Sequence, residues 1–361
     1  MQTLCLSLLT SLLTLILSSC VVLPRNPVPL DKQTNGRING MDEVRAISGQ
    51  DNLFFEQDAL FSETQYRAYH GIPTDERLKL SLLVLSGGAD YGAFGAGLLN
   101  GWSHSGQRPE FKLVTGVSTG ALIAPFALLG EAYDDIIRKA YTTVRARDIY
   151  RTRLFSVLWK DALVDTQPLE DMIEEIVTDD LLEKIAEVHT QGRRLWIATT
   201  NLDTDRLVIW DMGKIAASGH SQALPLFRRI LLASTSIPGI FPPVLIDVDV
   251  DGETYDEMHV DGGVKTQLFL SAETLNLMRL RQEYDKAGGL PEWTVYIIRN
   301  AKVGPEPQQV NRRLTDISSR AMTSLLKSQG RSDMERIYVT GQQAGIVFNW
   351  TSLPVAYVPD T

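Results

Sequence analysis

Cysteine is nearly absent: the 361-residue chain has two, Cys5 and Cys20. Both lie at the extreme N-terminus, so the body of the protein has no thiol for a cysteine nucleophile, a CxxC redox pair, a disulfide or a thiolate metal site. Histidine is sparse as well. There are five (His70, His104, His189, His220 and His259), and none follows residue 259. A basic surplus is missing too, since 35 Lys and Arg face 44 Asp and Glu for a formal net charge of −9. A protein that tracks phosphates needs a basic face, which excludes nucleic acid as a main partner. The same balance gives no long-range attraction to anionic lipid, so membrane contact needs another route.

The N-terminus offers one. Residues 1–24, MQTLCLSLLTSLLTLILSSCVVLP, are uncharged and centre on an apolar run from Leu8 to Leu17. That suits a signal-peptide core and is short of the roughly 20 apolar residues of a membrane span. Leu17-Ser18-Ser19-Cys20 resembles a bacterial lipobox, which implies a signal peptide over 1–19 and a diacylated Cys20. No Lys or Arg precedes the apolar run, unlike most signal peptides, and an uncleaved anchor helix is the alternative. Either reading puts the body outside the cytoplasm, on a bacterial cell envelope. Residues 20–50, rich in Pro, Asn, Gly and charge, read as a flexible tether, with a single domain over 51–361. Residues 42–70 read as irregular helical packing on its edge.

The organised part starts with LKLSLLVLS (78–86), a continuous apolar run expected of a strand buried on both faces of a parallel sheet. GGADYGAFGAGLLNGW follows, then a second strand, FKLVTG (111–116), and a second helix, TGALIAPFALLG. Strand, glycine turn and helix, twice over, make a βαβα unit. Amphipathic helices fill 131–190. RRLWIATTNL (193–202) and RLVIWDMG (206–213) read as one hairpin, and 244–263 as another with its turn at Asp251-Gly252. Asp247-Val-Asp-Val-Asp251-Gly252 opens like a calcium loop, but position twelve is Met258 and the flanks alternate as strands do. Helix LNLMRLRQEY, strand TVYIIRN (294–300) and a long helical stretch from 318 complete the chain.

Three places carry chemistry. Gly87-Gly88-Ala89-Asp90-Tyr91-Gly92 has phosphate-loop spacing, yet Ala93-Phe94 stand where Lys and Ser/Thr are required. What remains is a row of backbone N–H groups entering a helix, suited to an oxyanion. Gly116-Val117-Ser118-Thr119-Gly120 is a G-x-S-x-G, the strand-to-helix elbow that exposes a nucleophilic serine. An α/β-hydrolase takes its histidine late in the chain; its absence here points to a carboxylate base. Asp261-Gly262-Gly263, at a strand end, supplies one. An ordinary Asp is a poor base for a hydroxyl, so burial must raise its pKa. His259 is a substitute base by position, though a satisfied core histidine is the commoner role.

The glycine turn, the G-x-S-x-G, A-S-x-S-I-P-x-x-F-P-P (Ala233–Pro243) and the Asp-Gly-Gly, in that order from Leu80 to Val264, resemble the patatin-like lipid acyl hydrolases. The resemblance implies an α/β fold with a mostly parallel central sheet flanked by helices. It implies Ser118 as nucleophile, Asp261 as general base, an oxyanion hole from the amides of Gly87, Gly88 and Ala89, and no metal or organic cofactor. Ala89 stands where the family usually has a third glycine, and Tyr91 where Arg or Lys is common. The substrate class implied is acyl lipid, phospholipid or lysophospholipid first. An esterase or thioesterase on smaller acyl groups, or a non-catalytic envelope lipoprotein retaining the fold, are the alternatives.

Overall fold

Strands with two apolar faces need cover on both sides, and this chain supplies it with helices. The computed structural model describes residues 23–143, 151–152, 164–270, 284, 291–343 and 345–354. In chain order its elements are β1 (Arg45–Ile47), α1 (Leu53–His70), β2 (Lys79–Leu85), α2 (Gly92–His104), β3 (Phe111–Gly116), α3 (Thr119–Leu129) and α4 (Asp134–Thr143). A short ladder of β4 (Arg151–Thr152) with β5 (Val164–Asp165) precedes α5 (Gln167–Ile176), α6 (Asp179–Thr190), β6 (Arg194–Asn201), β7 (Arg206–Asp211), α7 (Met212–Ala217) and α8 (Ala223–Thr235). Then come β8 (Val244–Val250), β9 (Glu253–Asp261), β10 (Glu292–Arg299), α9 (Leu314–Gln343) and β11 (Val347–Ser352).

The main sheet runs β1-β7-β6-β3-β2-β10-β11, with the β8–β9 hairpin attached through β9 to β6. β6, β3, β2, β10 and β11 run parallel to one another, while β7 and β9 join β6 antiparallel and β1 joins β7 antiparallel. Period-two alternation sorts the side chains between the faces. Leu83, Leu85, Leu195 and Ile197 enter a large core with α2, α3, α5, α6 and α8. Leu82 and Val84 face Ile337 of α9, and Trp196 and Ala198 join Phe55 of α1. The expected α/β architecture with a mostly parallel sheet and helices on both faces is the one observed.

Two expectations need correction. The tether is not free over its described length. Arg25 pairs with Asp203 (2.7 Å) and Asp256 (2.8 Å), and Arg37 exchanges backbone bonds with Asp249 (3.0 and 2.8 Å). Arg45 pairs with the buried Glu257 at 2.6 Å, and Val28, Ile38 and Met41 are buried. Opposite charges some two hundred residues away hold this stretch down, so the folded body reaches back to about residue 25. Likewise 42–70 is not irregular: it holds β1, paired with β7, and the 18-residue helix α1. Cys5, Cys20 and the helix expected over 275–284 lie outside the described residues, Tyr284 excepted. The apolar stripe of α5 and its extension, Leu169, Ile173 and Val177, packs into the core.

Candidate active site

β6 acts as a ruler for the site. Along one edge it pairs with β3 as far as Ile197↔Gly116, and two residues later with β9 at Thr199↔Asp261. The chain leaving β3 therefore turns into Ser118 where β9 delivers Asp261. The two side chains face each other, and the Ser118 hydroxyl favours the ionised form of the Asp261 carboxyl. Both are buried, at 7% and 5% exposure.

The elbow is built by close approach. Ser118 has φ 55° and ψ −126°, a conformation L residues rarely adopt. A Cβ at Gly116 would lie 2.5 Å from the Gly120 carbonyl oxygen, and one at Gly120 would lie 2.5 Å from that of Leu85. Only glycine fits either place, and the contacts press the start of α3 against the end of β2. The Ser118 N–H donates to Ser234 Oγ (3.0 Å), which in turn donates to the Ala198 carbonyl (2.8 Å). The Asp261 N–H donates to the Ser236 carbonyl (2.9 Å). Both serines are fully buried. The end of α8 thus grips the backbone at both candidate residues, a job that the Ala233–Pro243 motif signalled but sequence reasoning did not assign.

Asp261 is pushed up to about 6. Burial is the cause, opposed by the facing Ser118 hydroxyl and by a hydrogen bond from the Gly263 N–H at 2.7 Å. This is the shift that a carboxylate base requires. His259 does not compete. It is fully buried, with Nδ1 on Thr199 Oγ1 (2.9 Å) and Nε2 on Glu257 Oε2 (3.1 Å), and burial lowers its pKa. Burial raises Glu257, but the Arg45 guanidinium and the His259 bond outweigh it and hold the carboxylate at about 2. It is a structural ion pair.

The glycine turn borders Ser118: a Cβ at Gly87 would lie 3.2 Å from Ser118 Cβ. Its three expected donors differ. The Gly87 N–H points to the Gln267 carbonyl at 3.3 Å, whereas the Gly88 and Ala89 amides donate to no described residue. Ala89 takes φ 47°, so alanine does occupy the left-handed conformation expected of the family's glycine. Sequence reasoning missed the support beneath the turn. Asn300, fully buried after β10, takes the Gly95 N–H on Oδ1 (3.0 Å) and donates Nδ2 to the Ser86 carbonyl (2.9 Å). On the far side, the Gln267 N–H donates to buried Asp333 of α9 (2.7 Å), and Gln267 Nε2 to the Gly263 carbonyl (3.0 Å). No motif marks these single polar residues.

A family model described as "Patatin: Patatin-like phospholipase" matches residues 83–271, just over half of the chain. The chain belongs to the patatin-like phospholipase family. The match spans Ser118, Asp261 and the glycine turn, and stops short of Asn300 and Asp333. An uncharacterised protein of Acanthamoeba polyphaga mimivirus is 29% identical over 175 residues, 47% of this chain and 56% of the relative. The crystal structure of VipD from Legionella pneumophila aligns with a TM-score of 0.37 at 11% identity, over 79% of this chain and 63% of that one. The chain thus spans less than two thirds of either protein's length.

Proposed function

We propose that this patatin-like chain is a serine acyl hydrolase of lipids, acting through Ser118 and Asp261. The observation that carries the reading is the juxtaposition of a strained, buried elbow serine with a buried carboxylate pushed up to about 6. Asp261 takes the hydroxyl proton as Ser118 Oγ attacks the ester carbonyl carbon. The Gly88 and Ala89 amides hold the negative oxygen, and the proton passes to the departing alcohol. Water, deprotonated by Asp261, then opens the acyl-enzyme and frees the fatty acid and Ser118. Phospholipid or lysophospholipid is the substrate class this reading favours. A lipid on Cys20 would hold the enzyme at a bacterial envelope membrane, beside such substrates. Among the described residues no helix is long and apolar enough to cross a membrane.

Fluorophosphonate labelling of the native chain tests the nucleophile, with Ser118→Ala and heat-denatured protein alongside. Labelling confined to native wild type, with release of fatty acid from phospholipid vesicles, is the expected result. A folded wild type that neither labels nor releases fatty acid would sink the proposal.

A further inference from the structure

The first half of α9 does not contribute to the core. Leu314, Ile317 and Leu325 are 82%, 51% and 71% exposed, and Ala321 is exposed as well. Spacings of three, four and four residues place these four on one stripe. The buried residues of the second half, Gly330, Asp333, Ile337 and Gly341, lie roughly 80–160° round the helix from Leu325. The stripe therefore points away from the body. Exposed apolar stripes of this kind mark interaction surfaces.

Charge indicates what this surface meets. Between residues 311 and 331 stand Arg312, Arg313, Arg320, Lys327 and Arg331 against one acid, Asp316, in a chain whose net charge is −9. Arg320 donates to the Glu306 carbonyl at 2.6 Å, and the Glu306 carboxylate is shared by Lys302 and Lys327. These bonds fix the helix to the loop after β10 and leave the segment positive. The helix enters the body beside the candidate site. Gln329 Nε2 donates to the carbonyl of Val264 (3.4 Å), three residues after Asp261, and Asp333 holds Gln267. From Gln329 back to Leu325 is about 6 Å of helical rise.

We propose that the first half of α9 is an interfacial helix that seats the rim of the site on an anionic lipid surface. The stripe would enter the headgroup boundary, while the exposed Arg312, Arg313 and Arg331 extend to anionic headgroups. Four side chains are too little apolar area for a stable dimer, which needs on the order of 1,000 Å². The inference rests on the lipid-hydrolase reading for its purpose, but its geometry stands apart from catalysis.

The test uses the full chain carrying Ser118→Ala, Cys5→Ser, Cys20→Ser and Leu325→Cys, labelled with an environment-sensitive fluorophore. A control carries the label through Lys184→Cys, on the exposed face of α6. Vesicles are phosphatidylcholine with or without phosphatidylglycerol, doped with nitroxide lipid. The expected result is quenching at position 325 on the anionic vesicles and none at 184. Ile317→Ser or omission of phosphatidylglycerol should weaken the binding about tenfold. No quenching at 325 on anionic vesicles would overturn the proposal, as would equal quenching on phosphatidylcholine alone. A signal that depends on protein concentration without vesicles would assign the stripe to a second copy instead. Because the readout is binding by an inactive variant, its failure is distinguishable from failure of the hydrolase reading.

Discussion

Asn300 and Ser86 are joined twice: the Asn300 N–H donates to Ser86 Oγ at 2.7 Å, and Asn300 Nδ2 donates to the Ser86 carbonyl at 2.9 Å. Ser86 Oγ then donates to the Gly87 carbonyl at 2.6 Å. The turn that would hold the oxyanion is thus aimed by a residue outside the family match. Asn300→Ala would leave the Ser86 carbonyl and the Gly95 N–H without their partner, costing about 1–3 kcal/mol of stability. The turn would shift, and displacements near 1 Å cost on the order of a hundredfold in rate. We expect kcat on a soluble ester to fall by about that factor with KM nearly unchanged. An unchanged kcat in a folded Asn300→Ala variant would show that the turn is set without it.

The Asp261 pKa of about 6 makes two predictions with opposite signs. On the proposed mechanism the base must be ionised, so kcat/KM rises through pH 6 and levels above it; a flat profile there would remove Asp261 from the role. Stability runs the other way. The folded-state value lies above the ordinary 3.8, so the native state holds its proton more tightly than the unfolded chain. The Asp261 contribution to stability is therefore fully present below about pH 4, falls between about 4 and 6, and is lost above. A shift of about two units corresponds to about 3 kcal/mol. Asp261→Asn should abolish turnover, by about a thousandfold or more, yet melt no lower than wild type at neutral pH. Calorimetry beside kinetics separates the two effects.

How legible these features are in the sequence depends on how local each signal is. The β2–α2–β3–α3 unit could be read because apolar runs and glycine turns lie within forty residues of each other. Ser118 and Asp261 could be read because elbows and Asp-Gly-Gly corners demand glycine for close backbone approach. β1 and β11 could not: one is three residues long, and the other is an edge strand with an exposed, weakly patterned sequence. The tether reads as free because the acids that hold Arg25 and Arg45, Asp203 and Glu257, are remote in sequence. Asn300, Gln267 and Asp333 act through single hydrogen bonds, and one polar residue at a strand or helix position announces nothing.

The two residues at the head of the oxyanion turn should respond in opposite directions to small changes. A Cβ at Gly88 would lie 1.8 Å from the Asn300 carbonyl oxygen, a backbone atom that cannot move aside. Gly88→Ala should therefore give an inactive chain that is unfolded or strongly destabilised. Ala89 sits at φ 47°, where an L residue is strained by about 1–2 kcal/mol. Ala89→Gly keeps the N–H and relieves that strain, so activity should persist and the melting temperature should rise slightly. Loss of activity in Ala89→Gly would mean that the methyl group itself holds the turn.

The elbow stores backbone strain, and two inactive variants can weigh it. Ser118→Ala removes the hydroxyl but keeps a Cβ at φ 55° and ψ −126°. Ser118→Gly removes both. Backbone strain of this kind costs about 1–3 kcal/mol, while glycine's extra freedom in the unfolded chain costs about 0.5–1. The difference leaves Ser118→Gly more stable than Ser118→Ala by about 1 kcal/mol or somewhat more. Deleting the hydroxyl also removes from Asp261 one facing group that favours ionisation, so its carboxyl should titrate higher in both variants. Urea melts at two pH values separate these effects. The gap between the variants should persist at either pH, because strain does not titrate, while both should lose stability as Asp261 ionises. Equal stabilities for the two would place the elbow's conformation among the ordinary ones and remove strain from the account of the serine.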